Sequence, residues 1–429
     1  MRLLLHNCQI LQPDWTAIRN GYLGVDGETI CYIGQTEPLE NYDLRKDLHG
    51  AIVCPGLINC HNHSPMVLMR GIGSNLPLQE WLFDHIFPIE NRLNAKHIAA
   101  ASRLALLEMI STGTTSFSDM YFFPWETAAA VDEAGMKANL CRCIQSFAPG
   151  EKPEDNPQIT ESLEFFKNFH KSSGDRVRVD FSIHAEYTCQ PQIVHAYSAL
   201  CQEHHGRMHL HLSETRKEQQ ECLDKYGMTP AAWFDHLGTF ESPTAAAHCI
   251  CVTSEDLALM KAKNVSVIHN PSSNMKLGSG YAPIRRMLDL GLNVALGTDG
   301  ASSNNNLNMM EEMHLAALIH NGQLCDPSAV TVQNVLTMAT RNGAKLQGRA
   351  DTGVLEVGKK ADLIAVSTQA PHMQPCLDPA SMLVYSAQGS DVCLNMVNGR
   401  ILYENGQFLT LDQERICAEF TKAAEDLYA

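Results

Sequence analysis

The sequence contains no stretch of roughly eighteen consecutive apolar residues, the length that a membrane-spanning helix requires. It also contains no run of Lys or Arg long enough to follow a phosphate backbone, and its formal net charge is -16. We therefore expect neither a membrane nor a nucleic acid as a partner. A small molecule is the expected binding partner.

Segments typical of secretion and of disorder are missing as well. The apolar run in residues 1–7 stops after three leucines, which is too short for the core of a signal peptide. The fifteen cysteines are scattered irregularly, and a chain of 429 residues gains little from disulfides, so reduced thiols and a cytoplasmic location are expected. The composition is that of an ordinary globular protein, and the length predicts two structural units.

Short β-branched or apolar runs recur between residues 52 and 299, and segments with helical periodicity separate them. One of these segments, 95–111, carries Ala and Leu at steps of three and four before Gly113 ends it. Such alternation predicts βα units, and eight parallel strands close a barrel. The predicted strands are 52–58, 114–119, 137–142, 177–184, 208–213, 244–248, 265–269 and 294–299.

The two ends of the chain show strand-like alternation instead, and Asn398-Gly399 is a favoured hairpin turn. Neither end has enough strands for a sheet of its own. We predict the α/β class, with a (β/α)8 TIM-type barrel and a small β-sandwich domain formed from both termini. The predicted boundaries are 1–51 and 350–429 for the small domain and 52–349 for the barrel.

Polar residues stand where the predicted barrel strands end. His61-Asn62-His63 follows the first strand, and the alternation directs both imidazoles to the same side. Taken alone, two such histidines are commonly solvent-exposed loop residues. Later strands, however, end at His211 and Glu214, at His248, at His269 and at Asp299.

The C-terminal ends of barrel strands meet at the active-site face, and buried titratable groups are costly unless they are paired or bind a metal. His61, His63, His211 and Asp299 together predict a catalytic zinc site, because zinc accepts nitrogen and oxygen ligands and keeps a position for water. Bound zinc lowers the pKa of that water towards roughly 7, which supplies the nucleophile. His269 has a structural alternative, a hydrogen bond to a neighbour.

The region of the fourth strand contains no lysine between residues 177 and 191. A two-metal hydrolase of this architecture needs a bridging anion there, commonly a carbamylated lysine. One metal ion per chain is therefore expected, with zinc preferred and iron left open.

Several motifs in this order resemble the amidohydrolase superfamily and, within it, the 5'-methylthioadenosine/S-adenosylhomocysteine deaminases, close to the chlorohydrolase-like branch. The resemblance extends over nearly the whole chain. The motifs that carry it are PGLINCHNH at 55–63, WLF at 81–83 with PIE at 88–90, HLSET at 211–215, SVIHNPSSN at 266–274, GTDG at 297–300 and GKKADL at 358–363.

The resemblance implies hydrolytic deamination of an adenosine-type nucleoside to the inosine analogue and ammonia. Glu214 would be the proton shuttle that protonates purine N1 while hydroxide adds to C6, and His248 would hydrogen-bond the attacking hydroxide. Asp299 would also accept a proton from the water. An acid–base carboxylate is required because the amino group leaves poorly until it is protonated.

The resemblance also implies substrate contacts. Glu90 would accept hydrogen bonds from the ribose hydroxyls, His184 would contact the purine edge, and Arg142 would face the 5' substituent. Each has a structural alternative: a helix-face charge, a core imidazole and a surface ion pair, respectively. Trp81 belongs to an apolar segment that could cover the substrate as a lid or pack in the core.

One departure from the family concerns the 5' substituent. Members that favour S-adenosylhomocysteine carry a second arginine soon after the third strand, whereas residues 148–160 contain only Lys152 as a cation. Adenosine or 5'-methylthioadenosine is therefore expected to be preferred.

Two other functions stay open from the sequence. A deaminase or hydrolase of a free base, a pterin or an s-triazine would use the same metal and the same Glu214, but it would need no partner for Glu90. A non-catalytic scaffold would hold no stoichiometric zinc. The sequence leaves a monomer and a homo-oligomer equally open.

Overall fold

The computed structural model describes residues 2–429, which form two nine-stranded sheets surrounded by helices. The strands, in chain order, are β1 Arg2–Leu11, β2 Ala17–Asp26, β3 Thr29–Gly34, β4 Leu44–Asp47, β5 Ile52–Pro55, β6 Leu57–Asn62, β7 Thr114–Tyr121, β8 Lys137–Ile144, β9 Val177–Val179, β10 Phe181–Ile183, β11 Met208–Leu212, β12 Thr244–His248, β13 Ser266–His269, β14 Asn293–Leu296, β15 Leu363–Val366, β16 Val392–Val397, β17 Arg400–Glu404 and β18 Gln407–Phe408.

Helices follow most barrel strands, as the βα pattern predicts. The α-helices are Leu78–Glu80, Phe87–Glu90, Ala95–Ser111, Pro124–Ala134, Pro157–Phe169, Ser172–Asp175, Pro191–Glu203, Arg216–Tyr226, Pro230–His236, Ser254–Ala262, Pro271–Lys276, Ile284–Asp289, Met309–Leu324, Val332–Ala339, Arg341–Leu346, Pro379–Tyr385 and Gln413–Tyr428, and a π-helix spans Trp81–Ile86. The predicted helix 95–111 is confirmed with both bounds, and Asn94 caps it by accepting hydrogen bonds from the first turn. Among the described residues, no helix is both long and apolar enough to cross a bilayer.

The predicted barrel is confirmed. Strands β6, β7, β8, β10, β11, β12, β13 and β14 lie side by side in this order, and each neighbouring pair is parallel. The ring is joined between its last and first strands, where the Asp299 amide donates to the His61 carbonyl at 2.9 Å. The side chain of Asn59 adds hydrogen bonds to Thr298 at 2.7 and 3.0 Å.

Two predicted strands are divided in the structure. The first, 52–58, breaks at Gly56: β5 pairs with β1 and β15 in the other sheet, and only β6 belongs to the barrel. The fourth, 177–184, breaks at Asp180 into β9 and β10. Pro55-Gly56 marks the first break and Asp180 the second, but neither residue pattern shows which strands the two halves pair with.

Both termini contribute to one small β-domain, as predicted. Its strands form a mixed sheet in the order β18-β17-β16-β15-β5-β1-β2-β3, with β4 also paired to β1. The Asn398-Gly399 turn joins β16 to β17, and both residues have positive φ, which matches the twist of a hairpin. Because β5 contributes to this sheet, its strands come from more of the chain than 1–51. The domain boundaries 1–51, 52–349 and 350–429 stay predictions.

Gly297 lies where β14 approaches β6, and a Cβ at this position would stand 2.6 Å from Asn270 Oδ1 and 2.8 Å from the His61 amide nitrogen. We expect Gly297→Ala to cost about 1–3 kcal/mol through overpacking and to lower the metal content, because the backbone that must move carries His61. Gly322→Ala is the matched control, since a Cβ there meets nothing within 4 Å. Melting temperatures and metal analysis of both variants test this prediction. A Gly297→Ala variant with the melting temperature and metal content of the wild type would contradict it.

Candidate metal centre and active-site cavity

The four predicted ligands converge at the C-terminal ends of the barrel strands. Nε2 of His63 lies 3.2 Å from Asp299 Oδ1, and Nε2 of His61 lies 3.5 Å from the same oxygen. Nε2 of His211 lies 3.3 Å from Nε2 of His63. Residues that are distant in the sequence therefore present three nitrogens and a carboxylate to one point.

Hydrogen bonds behind the rings orient these nitrogens. Nδ1 of His63 donates to the Met120 carbonyl at 2.6 Å, and Nδ1 of His211 donates to the His184 carbonyl at 2.8 Å. In its neutral form, each ring therefore keeps its lone pair on Nε2, facing the centre. Two lone pairs only 3.3 Å apart repel each other unless a cation lies between them.

His61 supports the same conclusion. Its ring is fully buried, its Nδ1 is hydrogen-bonded to His209 Nε2 at 2.9 Å, and within residues 2–429 no hydrogen-bond partner reaches its Nε2. A buried polar atom without a partner is costly unless it binds a ligand. The donor set therefore fits a divalent metal ion, and two overlapping groups of potential ligands, His61-His63-His211 and His61-His248-Asp299, occur here.

Asp299 is held as an anion. Burial alone would raise the pKa of its carboxyl, but the adjacent imidazoles of His61 and His63 outweigh burial and hold the pKa well below its usual range. The Gly300 amide donates to Oδ1 and the Ser273 hydroxyl donates to Oδ2, both at 2.7 Å. The carboxylate is therefore fixed in orientation as well as in charge.

Glu214 and His248 stand beside this centre. Nε2 of His248 lies 3.7 Å from Glu214 Oε2 and 4.0 Å from Asp299 Oδ2, and its Nδ1 donates to Asn274 Oδ1 at 2.8 Å. Burial raises the pKa of Glu214 well above its usual range, and the negative charges of Asp299 and Glu218 raise it further. A carboxyl group that holds its proton here can act as a general acid.

The backbone is strained at three positions of this site. Ser213, His248 and Asp299 have φ values of 47°, 72° and 62°, the left-handed region that residues other than glycine rarely adopt. Such strain persists only where the surrounding structure imposes it, and it is frequent at active sites.

A cavity of about 570 Å³ opens above the centre. Its lining combines titratable side chains with aromatic and aliphatic ones. The lining residues are His63, Met66, Leu78, Trp81, Leu82, Phe87, Glu90, Met120, Tyr121, Phe122, Cys143, Gln145, His184, Tyr187, His211, Glu214, His248, Leu277 and Asp299.

Three of the predicted substrate residues line this cavity. Trp81 lies in the π-helix, is 5% exposed, and donates from its indole nitrogen to the Ile72 carbonyl at 3.3 Å. Glu90 follows nine residues later, at the end of the short helix Phe87–Glu90. His184 follows β10, with its ring centroid 4.7 Å from that of His211. Burial lowers the pKa of His184 to about 3, so its ring is neutral and can exchange hydrogen bonds with a purine edge.

Arg142 has a different position. It lines an adjoining cavity of about 1020 Å³, which shares Phe87, Glu90, Phe122 and Gln145 with the first. Its Nε donates to Glu161 Oε2 at 2.7 Å, and its Nη1 donates to the Cys143 carbonyl at 2.5 Å. The guanidinium charge is therefore partly neutralised inside the protein.

Other residues of the site carried too little signal in the sequence to be assigned a role. His209 and Ser273 support ligands, Asn274 holds His248, and Tyr121 and Tyr187 line the cavity. His209 precedes His211 by two residues on β11, so alternation could have marked it. His269 pairs with His320 at 3.0 Å, which is the structural alternative that the sequence allowed.

Comparisons with known proteins agree with this geometry. The Amidohydrolase family matches residues 52–402. A 5'-deoxyadenosine deaminase of Methanosarcina mazei is 40% identical over 100% of this chain and 98% of its own length. A 5-methylthioadenosine/S-adenosylhomocysteine deaminase of Thermoanaerobacter pseudethanolicus is 40% identical over 100% of this chain and 99% of its own length. The crystal structure of an adenosine deaminase from Xanthomonas campestris with bound zinc superimposes with a TM-score of 0.93 at 28% identity, with 99% and 98% covered.

Proposed function

The chain belongs to the amidohydrolase family, and we propose that it is a metal-dependent deaminase that hydrolyses the 6-amino group of an adenosine-type nucleoside. Water and the nucleoside give the inosine analogue and ammonia. The observation that carries this proposal is one cavity lined by Glu214, His248 and Glu90 together with three of the four convergent ligands, His63, His211 and Asp299. The deaminase relatives, which align over the full chain, support it.

We propose that His61, His63, His211 and Asp299 hold one zinc ion per chain. A zinc ion lowers the pKa of a bound water towards roughly 7 and polarises the group that it contacts. Asp299 is ionised and can accept a proton from the water. The other side chains position the substrate and move protons.

Glu214 is assigned as the acid that protonates the purine ring nitrogen, and its raised pKa agrees with that role. Protonation withdraws electrons from the ring carbon that water attacks and later assists the departure of ammonia. His248 donates from Nδ1 to Asn274, so its Nε2 faces the cavity and can hydrogen-bond the attacking oxygen.

The lining of the cavity fits a nucleoside better than it fits a free base alone. Glu90 can accept hydrogen bonds from two vicinal ribose hydroxyls, and Trp81 lines the same cavity. His184 also lines it, with its ring 4.7 Å from that of His211, and can meet the purine edge. A free base offers no hydroxyl group to Glu90.

Substrate preference follows from the pairing of Arg142. We expect adenosine, 5'-deoxyadenosine or 5'-methylthioadenosine to have a higher kcat/KM than S-adenosylhomocysteine. Within residues 2–429, Arg142 is the only Lys or Arg that lines the adjoining cavity, and Glu161 engages it, whereas Lys152 is exposed. A missing charge-assisted bond costs about 1.5–3 kcal/mol, or roughly ten- to a hundredfold.

The measurement is a comparison of kcat/KM for the four nucleosides, with guanine as the free-base reference, by ultraviolet absorbance or ammonia release. Glu161→Gln should bring kcat/KM for S-adenosylhomocysteine closer to that of the other nucleosides, because it frees the Arg142 guanidinium for the substrate carboxylate. S-adenosylhomocysteine as the best substrate would contradict the argument from Arg142. Turnover of guanine but of no nucleoside would contradict the proposed function itself.

We propose a cytoplasmic location, in agreement with a small-molecule substrate and with the irregularly spaced cysteines. The net charge of -16 argues against nucleic acid as a partner. Size-exclusion chromatography with light scattering decides between a monomer and a homo-oligomer.

A further inference from the structure

Two buried carboxyl groups lie behind the active site, and neither takes part in the chemistry described above. Glu218 is 1% exposed in the helix Arg216–Tyr226, and Glu186 is 2% exposed in the turn after β10. Because a buried carboxylate without partners is costly, this pair requires an explanation.

Glu218 is bound to the backbone that carries Glu214. Its Oε1 accepts from the Ser213 amide at 2.7 Å, and its Oε2 accepts from the amides of Glu214 at 2.6 Å and Thr215 at 3.2 Å. A capping box accounts for the Thr215 contact alone. The other two bonds hold the strained Ser213 and Glu214 itself.

Glu186 is the neighbour of Glu218 on the other side. The turn Glu186–Thr188 packs against the helix that carries Glu218, and the nearby charge of Glu218 adds to burial in raising the pKa of Glu186 well above its usual range. Within residues 2–429, Glu186 Oε2 has no hydrogen-bond partner. Two ionised carboxylates in contact would repel strongly, whereas one shared proton gives a charge-assisted hydrogen bond. Since Glu218 needs both oxygens to accept three amides, Glu186 carries the proton and donates it.

The pair connects two walls of the cavity. Glu186 lies between the cavity residues His184 and Tyr187, and Glu218 holds the amide of Glu214. A proton held between the two carboxyl groups would therefore tie the general acid to the turn that follows His184.

We propose that Glu218 is a positioning residue for the general acid Glu214 and that neutral Glu186 completes this support by donating to Glu218. The inference rests on the proposed function for its kinetic effect, but the anchoring of residues 213–215 can be measured without any substrate. The conformation of Glu214 is then set by a carboxylate that never touches the substrate.

The first test is hydrogen–deuterium exchange in Glu218→Gln. An amide side chain retains one acceptor oxygen and adds donors, so it cannot accept all three backbone bonds. Exchange in peptides covering 209–218 should rise at least about tenfold, while peptides covering 95–111 stay unchanged. The matched control is Glu221→Gln on the same helix, whose carboxylate is 58% exposed. Unchanged exchange at 209–218 would overturn the anchoring.

The second test is kinetic. Glu218→Gln should lower kcat about ten- to a hundredfold with KM within about threefold, since Glu90 and His184 are untouched. Zinc content and melting temperature separate this effect from unfolding. The positioning role is wrong if the wild type is active and kcat of Glu218→Gln does not fall. It is also wrong if kcat falls only in proportion to the loss of zinc or of folded protein.

The role of Glu186 has its own comparison. Glu186→Gln keeps a neutral donor to Glu218, whereas Glu186→Leu keeps the volume but removes the donor. We expect kcat of Glu186→Gln to exceed that of Glu186→Leu at least fivefold. Amide hydrogen exchange in residues 209–218 should also be slower in Glu186→Gln than in Glu186→Leu. Equal values for the two variants would contradict a donating Glu186.

Wild-type protein that deaminates no nucleoside would overturn the proposed function, whereas the exchange results would still decide the anchoring.

Discussion

The Glu214→Gln variant should turn over an adenosine-type nucleoside about 10² to 10⁴ times more slowly than the wild-type enzyme while it keeps its bound zinc. Glutamine preserves the shape of the side chain but has no acidic proton for the purine nitrogen. Glu214 does not belong to either group of potential metal ligands, so metal affinity should survive the change. Its position 3.7 Å from His248 Nε2 places it beside the reacting atoms.

The measurement combines kcat at saturating substrate with elemental analysis of the same protein. Glu221→Gln on the neighbouring helix serves as the charge-matched control. Activity near that of the control would remove Glu214 from the mechanism. Loss of zinc together with activity would reassign it as a ligand.

Removal of the metal by a chelator should lower turnover by at least about 10³-fold, and one equivalent of zinc per chain should restore it. Without the ion, water at neutral pH is a poor nucleophile and the lone pairs of His63 and His211 face each other without a cation. Four convergent ligands and the absence of lysine from 177–191 are the grounds for a single ion.

His61→Ala should bind zinc much more weakly than the wild type, because it removes a buried nitrogen that within the described chain has no other partner. His195→Ala, at an exposed position on the helix Pro191–Glu203, is the control and should bind zinc normally. A requirement for two equivalents of metal, or full zinc binding by His61→Ala, would contradict the proposed centre.

Local patterns in the sequence were sufficient to predict the barrel and the convergence of four side chains that could bind a metal. The alternation in His61-Asn62-His63 directs two imidazoles to one side, and parallel barrel strands bring their C-terminal ends together. The placement of His211 and Asp299 follows from that rule, since each stands at the end of a predicted strand. The structure brings all four together.

Other features depend on what lies opposite in space. Pro55-Gly56 indicates a break in the run 52–58, but no residue in it indicated that Ile52–Pro55 would pair with β1 and β15. The sequence places Arg142 at the end of a strand but does not show which carboxylate it meets. Only the fold shows that Arg142 pairs with Glu161. A strand end predicts where a side chain is located but not its partner.

The sequence by itself therefore determined the order of strands and helices, the face on which each polar residue stands, and the residue types available for a metal, because these depend on periods of two and 3.6 residues along one segment. Tertiary structure alone decided which carboxyl groups are neutral and which are charged. Asp299 faces two imidazoles and is ionised, Glu214 faces other carboxylates in a buried site, and Glu186 meets Glu218 across 32 residues of sequence. Charge state depends on desolvation and on neighbours from other strands, and these exist only after the chain has folded.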